Sequence, residues 1–305
     1  MKKDNIIGNF MLILAALIWG TTFVAQSEAM DRMGPFTYQT ARSFLGAIVL
    51  LPVVFASDFA KKKLNIYKKP TKEDNRQLLL AGLACGSVYV IAAAFQQVGM
   101  ALGTGSGKAG FITAMYMFVV PVIGLFMKKK VRPLVWGCIA VACIGLYLLC
   151  ISGDFSFMIS DLVVFGCAIG FAVHIVVIDS FSYVDGIKLS CLQFAIAGVY
   201  SAILMFIFEE PTWKQISDGW VSIAYAGILS SGIGFTLQIL GQQRTNPAMA
   251  SLLMSLESVF AVLGGIILLG EVPTARETIG CIIMFAAIVV AQIPFPERKN
   301  LKTEK

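Results

Sequence analysis

Apolar and polar positions follow one another along this chain in long blocks. Ten apolar stretches, each about 20 residues long, are separated by shorter polar segments. A helix of that length, at about 1.5 Å per residue, matches a hydrocarbon core of about 30 Å. The pattern therefore predicts ten membrane-spanning helices. They are placed near residues 7–28, 36–56, 76–98, 106–127, 133–151, 158–178, 189–208, 219–241, 248–269 and 276–294.

Composition excludes a soluble fold for a chain of 305 residues. Hydrophobic residues make up 57% of the sequence and charged residues only 14%, and the mean hydropathy is +0.80. So few charges could not cover the apolar surface of a soluble domain. The predicted fold class is an all-α integral membrane protein.

The ten stretches fall into two sets of five that show weak sequence similarity to each other. The sequence ALIWG at 16–20 aligns with GCAIG at 166–170, and GCI at 137–139 recurs at 280–282. Because five is an odd number, the second copy must cross the bilayer in the opposite orientation to the first. Two inverted repeats of this kind are typical of secondary transporters, whose binding sites lie near the midplane between the repeats.

The boundary between the repeats is expected at the short segment 152–154, which contains no basic residue. We therefore expect a first repeat over 7–151, a second over 156–294 and a basic cytoplasmic tail over 295–305. At the start of the third span, Thr71 and Asp74 are spaced as in a capping box.

Basic residues are distributed very unevenly over the predicted loops. Of the 24 lysines and arginines, 19 fall on one predicted side and four on the other, and only Arg42 lies inside a span. By the positive-inside rule, both termini are cytoplasmic and the protein is expected in the cell (plasma) membrane. The basic loops therefore do not require a nucleic-acid partner.

Residues that interrupt or loosen helices are concentrated in the third and fourth spans of each half. Corresponding interruptions in two inverted halves point to a transport site, although small residues also pack helices in lipid. The positions are Gly82 and Gly86 in span three, Pro121 and Gly124 in span four, Gly227, Gly232 and Gly234 in span eight, and Pro247, Gly264 and Gly265 in span nine.

Three ionisable residues inside the predicted spans are candidates for chemistry. Glu257 is near the middle of span nine, where an ionised carboxylate is costly, so it should face the bundle interior. It could contact a substrate or a coupling proton, or make a structural hydrogen bond. Arg42 could bind an anionic group, snorkel to the interface or form a salt bridge. His174, the single histidine, is a proton relay or a hydrogen-bonding group between helices.

Further polar and aromatic side chains share helical faces with apolar neighbours. Such mixed faces suit a pocket for a polar organic molecule, and they suit helix packing equally. The candidates are Trp19 and Gln26 in span one, Gln96 in span three, Tyr116 in span four and Gln238 in span eight.

Several segments resemble the EamA-type proteins of the drug/metabolite transporter superfamily. Residues 250–271 are similar to the second-repeat motif of that family and 280–290 to its last helix, while 15–23 and 40–44 resemble its first two helices. The resemblance covers about residues 8–293 in two copies. It implies a ten-helix transporter and says little about the substrate.

Two positions depart from the family pattern. Lysines fill 128–130, where the second repeat has Gly270 and Glu271, and Ser258 replaces a proline that many members carry. Both departures limit the transfer of individual residue roles.

The predicted function is a secondary transporter, with export favoured by the resemblance, of a small organic metabolite such as an amino acid. The alternatives are a nucleotide-sugar or sugar-phosphate carrier of the same superfamily, an intramembrane enzyme that would need His174, and a multi-helix receptor. No cofactor, metal or enzymatic activity is expected. The expected partners are a small-molecule substrate and the lipid bilayer, while a coupling proton or ion and a homodimer are left open.

Overall fold

The computed structural model describes residues 3–104, 106–129, 131–151, 158–264, 266–267 and 272–293. Every long regular element in these residues is helical. The α-helices are α1 (Lys3–Met30), α2 (Pro35–Lys63), α3 (Lys72–Ala101), α4 (Ser106–Ala114), α5 (Tyr116–Phe126), α6 (Pro133–Cys150), α7 (Ile159–Ser180), α8 (Gly186–Phe208), α9 (Trp213–Asp218), α10 (Trp220–Ala224), α11 (Phe235–Gln242), α12 (Pro247–Met254), α13 (Glu257–Gly264) and α14 (Ala275–Ala291), with a π-helical segment at Tyr225–Gly234.

Nine helical stretches of the described residues are long and apolar enough to cross a membrane. They coincide with the first nine predicted spans to within a few residues, except that the second and third helices extend further into the polar segments. The tenth predicted span corresponds to α14, which is 17 residues long. The chain is thus a multi-pass helical membrane protein.

Some sequence-based expectations fall outside the described residues. They concern the inter-repeat segment 152–154, Gly265, Gly270 with Glu271, and the basic tail 295–305.

The helices begin where the sequence supplies capping groups. Thr71 and Asp74 form the predicted capping box of α3, with the Thr71 hydroxyl accepting from the Asp74 amide at 3.1 Å. Asn246 caps α12 by accepting from the Met249 amide at 2.9 Å. Such side chains satisfy backbone amides that have no partner within the helix.

The start of α2 is capped from a different part of the chain. Its N-cap residue is Gly34, which has no side chain to offer. The carboxylate of Glu209, at the end of α8, accepts hydrogen bonds from the amides of Phe36 and Thr37 at 2.7 and 2.8 Å. This contact fastens α2 to α8 at one end of the bundle.

The helices are mostly interrupted at positions other than the glycines and prolines that the sequence indicated. The prediction for span three was wrong, since α3 runs unbroken through Gly82 and Gly86. Span four breaks at Met115 rather than at Pro121, which stays inside α5. Span eight is distorted at its glycines, where the π-helical segment replaces α-helix. Gly82 and Gly86 instead allow close contact with α8, because a Cβ on either would meet the α8 residues Leu192 or Gln193.

Two helix pairs form the frame of the bundle. Helix α2 packs along α8, and α6 packs along α14. In the second pair, Gly145 and Gly280 meet so closely that a Cβ on Gly145 would lie 2.8 Å from the Gly280 carbonyl oxygen. Between the pairs, α1 packs against the π-helical segment and α11 to α13, while α7 packs against α3, α4 and α5.

Candidate functional site

Two helices break near the centre of the bundle, at positions that correspond in the two halves. The break between α4 and α5 immediately precedes Tyr116, and the break between α12 and α13 immediately precedes Glu257. The Tyr116 hydroxyl donates to Glu257 Oε1 at 3.1 Å, across a sequence separation of 141 residues. The residues that follow the two breaks are therefore hydrogen-bonded to each other.

Short-range backbone bonds explain why neither break needs a glycine or a proline. The Met115 amide bonds to the Ile112 carbonyl, and the Leu256 amide bonds to the Leu253 carbonyl. These are i to i−3 bonds, which tighten the helix into a 3₁₀-like turn and rotate the residues that follow. Sequence propensity gives no warning of such a change, because ordinary residues accommodate it.

The broken helices border a small cavity with an accessible volume of about 60 Å³. It lies between α1, α2, α3, the two broken helices, α7 and the π-helical region. Its lining comprises Trp19, Thr22, Gln26, Arg42, Tyr89, Ala93, Gln96, Thr113, Tyr116, Phe171, Ile175, Ser230, Phe235, Gln238, Met254 and Glu257.

Glu257 faces this cavity, and no described cationic side chain pairs with it. Its residue is only 4% exposed, and among the described side chains Tyr116 is its one hydrogen-bond donor. A carboxyl group so placed is costly to ionise without a counter-charge. The cavity would therefore favour a ligand that brings a positive charge, or a proton, to Glu257.

Arg42 contributes a positive charge to the same cavity. It is 5% exposed, and its guanidinium donates to the hydroxyls of Ser230 at 3.3 Å and Ser231 at 3.4 Å. It also lies over the ring of Tyr38, 5.6 Å from the centroid. Within the described part of the chain no carboxylate pairs with it, so the salt-bridge alternative finds no support there. Both hydroxyl bonds are long for a guanidinium, which leaves it available to an anion.

A run of amide and hydroxyl groups forms another wall of the cavity. Gln26 donates to the Gln96 side-chain oxygen at 3.0 Å, and Gln96 donates to the Thr113 hydroxyl at 3.0 Å. These bonds join α1 to α3 and α3 to α4. They leave acceptor positions on Gln26 that a bound polar molecule could use.

Aromatic rings complete the lining. Trp19 packs on Phe235 with 4.8 Å between centroids, and Tyr89 meets the same Phe235 edge-on at 5.0 Å. Three polar atoms of the lining are buried and have no described partner: Trp19 Nε1, Tyr89 Oη and Gln238 Oε1. Buried polar groups are normally hydrogen-bonded, so these atoms mark places where a ligand or water would be accommodated.

His174 lies outside the cavity. It is 0% exposed and shares a 3.2 Å hydrogen bond between its Nε2 and the Gln193 side-chain oxygen on α8. The rings of Tyr89 and Phe235 lie 6.0 Å from it. Because Phe171 and Ile175 occupy the cavity-facing positions of α7, the imidazole points to the neighbouring helix instead. His174 is absent from the lining of this cavity, and its contact with a substrate stays a prediction.

Seven of the eight candidate residues line one cavity: Trp19, Gln26, Arg42, Gln96, Tyr116, Gln238 and Glu257. Sequence reasoning missed several of their neighbours. Tyr89, Phe171 and Phe235 look like ordinary apolar core residues, and Ser230 resembles any small residue of a membrane helix. Only the fold distinguishes the aromatic residues of a cavity wall from those of a packed core.

Curated relatives cover nearly the whole chain. An uncharacterized transporter of Archaeoglobus fulgidus is 26% identical over 92% of this chain and 84% of its own length. The uncharacterized transporter YoaV of Bacillus subtilis is also 26% identical, over 94% of this chain and 97% of its own. The probable glucose uptake protein GlcU of Bacillus anthracis is 23% identical, over 93% of this chain and 96% of its own.

A solved crystal structure has the same fold. It superposes with a TM-score of 0.76 and covers 93% of this chain and 96% of its own, at 18% sequence identity. The model of the EamA-like transporter family matches the chain twice, over residues 6–151 and 158–292. Together with relatives that are themselves named transporters, these two matches show that the chain belongs to the EamA-like transporter family.

Proposed function

We propose that the protein is a secondary transporter, acting as an exporter, of a small zwitterionic metabolite of the amino-acid type. The observation that carries this proposal is the placement of Arg42 and Glu257 in one buried cavity, with neither in an ion pair among the described residues. A site that keeps two opposite charges apart suits a ligand that carries both.

The chemistry of such a ligand matches the walls of the cavity. Its carboxylate would accept hydrogen bonds from Arg42, whose planar guanidinium binds carboxylates in a fork. Its ammonium group would donate to Glu257, replacing or joining the hydroxyl of Tyr116. Its side chain would lie against Trp19 and Phe235. A ligand of this kind satisfies each buried charge with its complement, which is the condition for burying charges at low cost.

We further propose ten spans in two inverted repeats, over 7–151 and 156–294, with both termini in the cytoplasm of a plasma-membrane protein. The packing supports this arrangement. Helix α1, which is span one, packs against spans eight and nine, and its counterpart α7, which is span six, packs against spans three and four. The described ion pairs between different helices support it too. Lys61 with Asp185 joins ends predicted to be cytoplasmic, and Lys108 with Asp161 joins ends predicted to be outside.

Alternating access would move two units that are not the sequence repeats themselves. Helix α1 comes from the first half but packs against the π-helical segment and α11 to α13 of the second. Helix α7 comes from the second half but packs against α3, α4 and α5 of the first. The Tyr116–Glu257 and Gln26–Gln96 hydrogen bonds link these two units across the cavity. Both links would be remade during a transport cycle, and a proton taken up by Glu257 could be coupled to that change.

A ligand screen on purified protein tests the substrate class. A ligand that binds only the folded state adds about 2.7 kcal/mol of apparent stability at one hundred times its Kd. We expect L-amino acids to raise the thermal midpoint, and their amides and amine-free acids to raise it much less. Stabilisation by the amides or acids alone would contradict a zwitterion site.

Matched variants connect the ligand to the two charges. Arg42→Gln and Glu257→Gln should each raise, at least tenfold, the ligand concentration that is needed for the same rise in thermal midpoint. Arg244→Gln and Glu210→Gln remove the same charges from exposed positions and should leave it unchanged. If the first pair behaves like the second, the cavity is not the binding site.

A neutral sugar is a second candidate for the same cavity. One relative is named a probable glucose uptake protein, and the amides of Gln26, Gln96 and Gln238 can hydrogen-bond hydroxyl groups. The same screen therefore includes glucose, a sugar phosphate and a nucleotide sugar. Stabilisation by glucose that survives both Arg42→Gln and Glu257→Gln would favour this reading.

A further inference from the structure

A second crevice lies at the opposite end of the broken helices from the Gln26–Gln96 wall. It opens where α5 ends and α12 begins, on the face predicted to be cytoplasmic. Its accessible volume is about 220 Å³. Its lining comprises Val120, Pro121, Gly124, Met127, Lys129, Val131, Arg132, Val135, Val176, Asn246, Pro247 and Ala248.

The crevice and the central cavity are bordered by the same three elements. On α5, Tyr116 lines the cavity and Val120 lines the crevice. On α7 the corresponding neighbours are Ile175 and Val176. At a helical rise of 1.5 Å per residue, four residues on α5 correspond to a barrier only about 6 Å thick. On α12, six residues separate Ala248 from Met254, which corresponds to about 9 Å.

The side chains at this barrier are apolar. Met117, Ala250 and Leu253 are fully buried and belong to the same apolar cluster as Val120 and Ile175. By contrast, the other end of the cavity is crossed by hydrogen-bonded amides. An apolar barrier one to two turns thick can exclude water, and it can part without leaving polar groups unsatisfied.

One of the helices that carry this barrier, α5, is weakened beside it. Pro121 lies inside α5 and has no amide to donate, so the Met117 carbonyl loses its normal helical partner. A proline at this point lets the second half of α5 bend relative to the first. The barrier therefore lies where α5 can move against α12.

The rim of the crevice is positively charged. Lys129 pairs with Asp179 at the end of α7. Arg132 donates to the carbonyl oxygens of Ala291 at 2.8 Å and Ile293 at 3.4 Å, and pairs with no carboxylate of the described residues. Cationic groups at a narrow mouth attract anions and the carboxylate end of zwitterions.

We propose that this crevice is the cytoplasmic vestibule of the transport path, that it admits a small organic anion or zwitterion, and that Met117, Val120, Ile175, Ala250 and Leu253 form the closed gate between it and the central cavity. The inference rests on the proposed transport function. It adds the location of a cytoplasmic opening to the transport path. A path that is open on one face only would have no such opening.

A thiol placed in the crevice tests its accessibility without knowledge of the substrate. Gly124 has room for a side chain, since the nearest atom to an added Cβ is Lys129 Cβ at 3.9 Å. Gly137, on the exposed face of α6, has no such neighbour within 4 Å and supplies the control. Gly124→Cys and Gly137→Cys are reconstituted in vesicles and treated with membrane-impermeant sulfonatoethyl methanethiosulfonate from either face.

We expect Gly124→Cys to react from the face that carries the N-terminus, at least tenfold faster than from the other face. Gly137→Cys and the wild-type protein, with its buried or half-buried native cysteines, should react slowly from both. Reaction of Gly124→Cys only from the opposite face, or from neither, would overturn the assignment.

A bulky residue then tests whether the crevice is on the transport path. Gly124→Trp fills it, and Gly137→Trp places the same indole towards lipid. In vesicles loaded with a mixture of radiolabelled L-amino acids, efflux through Gly124→Trp should fall at least tenfold, with normal efflux through Gly137→Trp. Equal efflux through both variants would refute the vestibule. If the wild type moves none of the amino acids, the proposed substrate class fails, and the thiol result decides on the vestibule separately.

Discussion

The hydrogen bond between Tyr116 and Glu257 should be worth about 1 kcal/mol to the folded protein. The hydroxyl donates at 3.1 Å to a buried carboxyl oxygen that has no other described donor, so Tyr116→Phe leaves that oxygen unsatisfied. Hydrogen bonds between membrane helices average about 0.6 kcal/mol and reach about 1.7. Full burial of both groups favours the upper part of that range.

A double-mutant cycle isolates this energy. Tyr116→Phe, Glu257→Ala and the double variant are compared by equilibrium unfolding in one fixed bicelle composition, with Glu257→Gln as a further single variant. Glu257→Gln keeps an oxygen that can accept from Tyr116, so its own cost should be below about 0.5 kcal/mol. Glu257→Ala removes the acceptor, and its cycle with Tyr116→Phe should give a coupling energy of about 1 kcal/mol.

The control for this cycle is another tyrosine in the same bundle. Tyr225 donates to the Thr21 hydroxyl at 2.5 Å and does not line the cavity. Tyr225→Phe removes the same chemical group, and its effect should simply add to that of Glu257→Ala. A coupling energy near zero between Tyr116 and Glu257, or one equal to that between Tyr225 and Glu257, would refute the link between the two helix breaks.

Three further predictions concern the frame of the bundle. Gly280→Leu should destabilise the protein by about 1–3 kcal/mol or prevent its assembly, because its Cβ would collide with Gly145, whereas Gly137→Leu on the open face should be tolerated in the same unfolding assay. Glu209→Ala removes the cap of α2 and should cost about 1–2 kcal/mol, measured against Glu210→Ala, which should change stability by less than about 0.5. Burial opposes ionisation of Asp185, but hydrogen bonds from Lys61 and the Lys188 amide outweigh it and lower the pKa of this carboxyl. The stabilisation from the ionised Asp185 is therefore present above the unfolded pKa of about 4 and is lost as the pH falls through the folded pKa. Asp185→Asn should flatten the acid side of a plot of thermal midpoint against pH. An unchanged plot would contradict the pairing of Asp185 with Lys61.

Much of the fold could be predicted from the chain because lipid imposes a simple rule. Each helix must satisfy its own backbone and match the thickness of the bilayer, so apolar length alone gave nine spans to within a few residues. Local capping was equally readable, as Thr71 and Asp74 show, because a capping box involves only residues three apart.

The candidate site was predictable only in part. Arg42 and Glu257 could be identified because charge inside a membrane is costly and therefore seldom incidental. His174 met the same criterion, yet it hydrogen-bonds to Gln193 between two helices. The orientation of a side chain on a buried helix depends on which neighbours surround it, and a membrane helix that is apolar on all sides carries little periodicity to indicate this.

The sequence by itself determined how many apolar segments there are, how long they are and which ends are basic, since these follow from the thickness and charge of a membrane. Only the tertiary structure decided where the helices break and what meets there. Tyr116 and Glu257 are 141 residues apart in the sequence. Neither segment contains a residue pattern that predicts the two i to i−3 turns beside which they meet. A cavity is a property of what surrounds it, and the surroundings of Glu257 come from at least six helices of both halves.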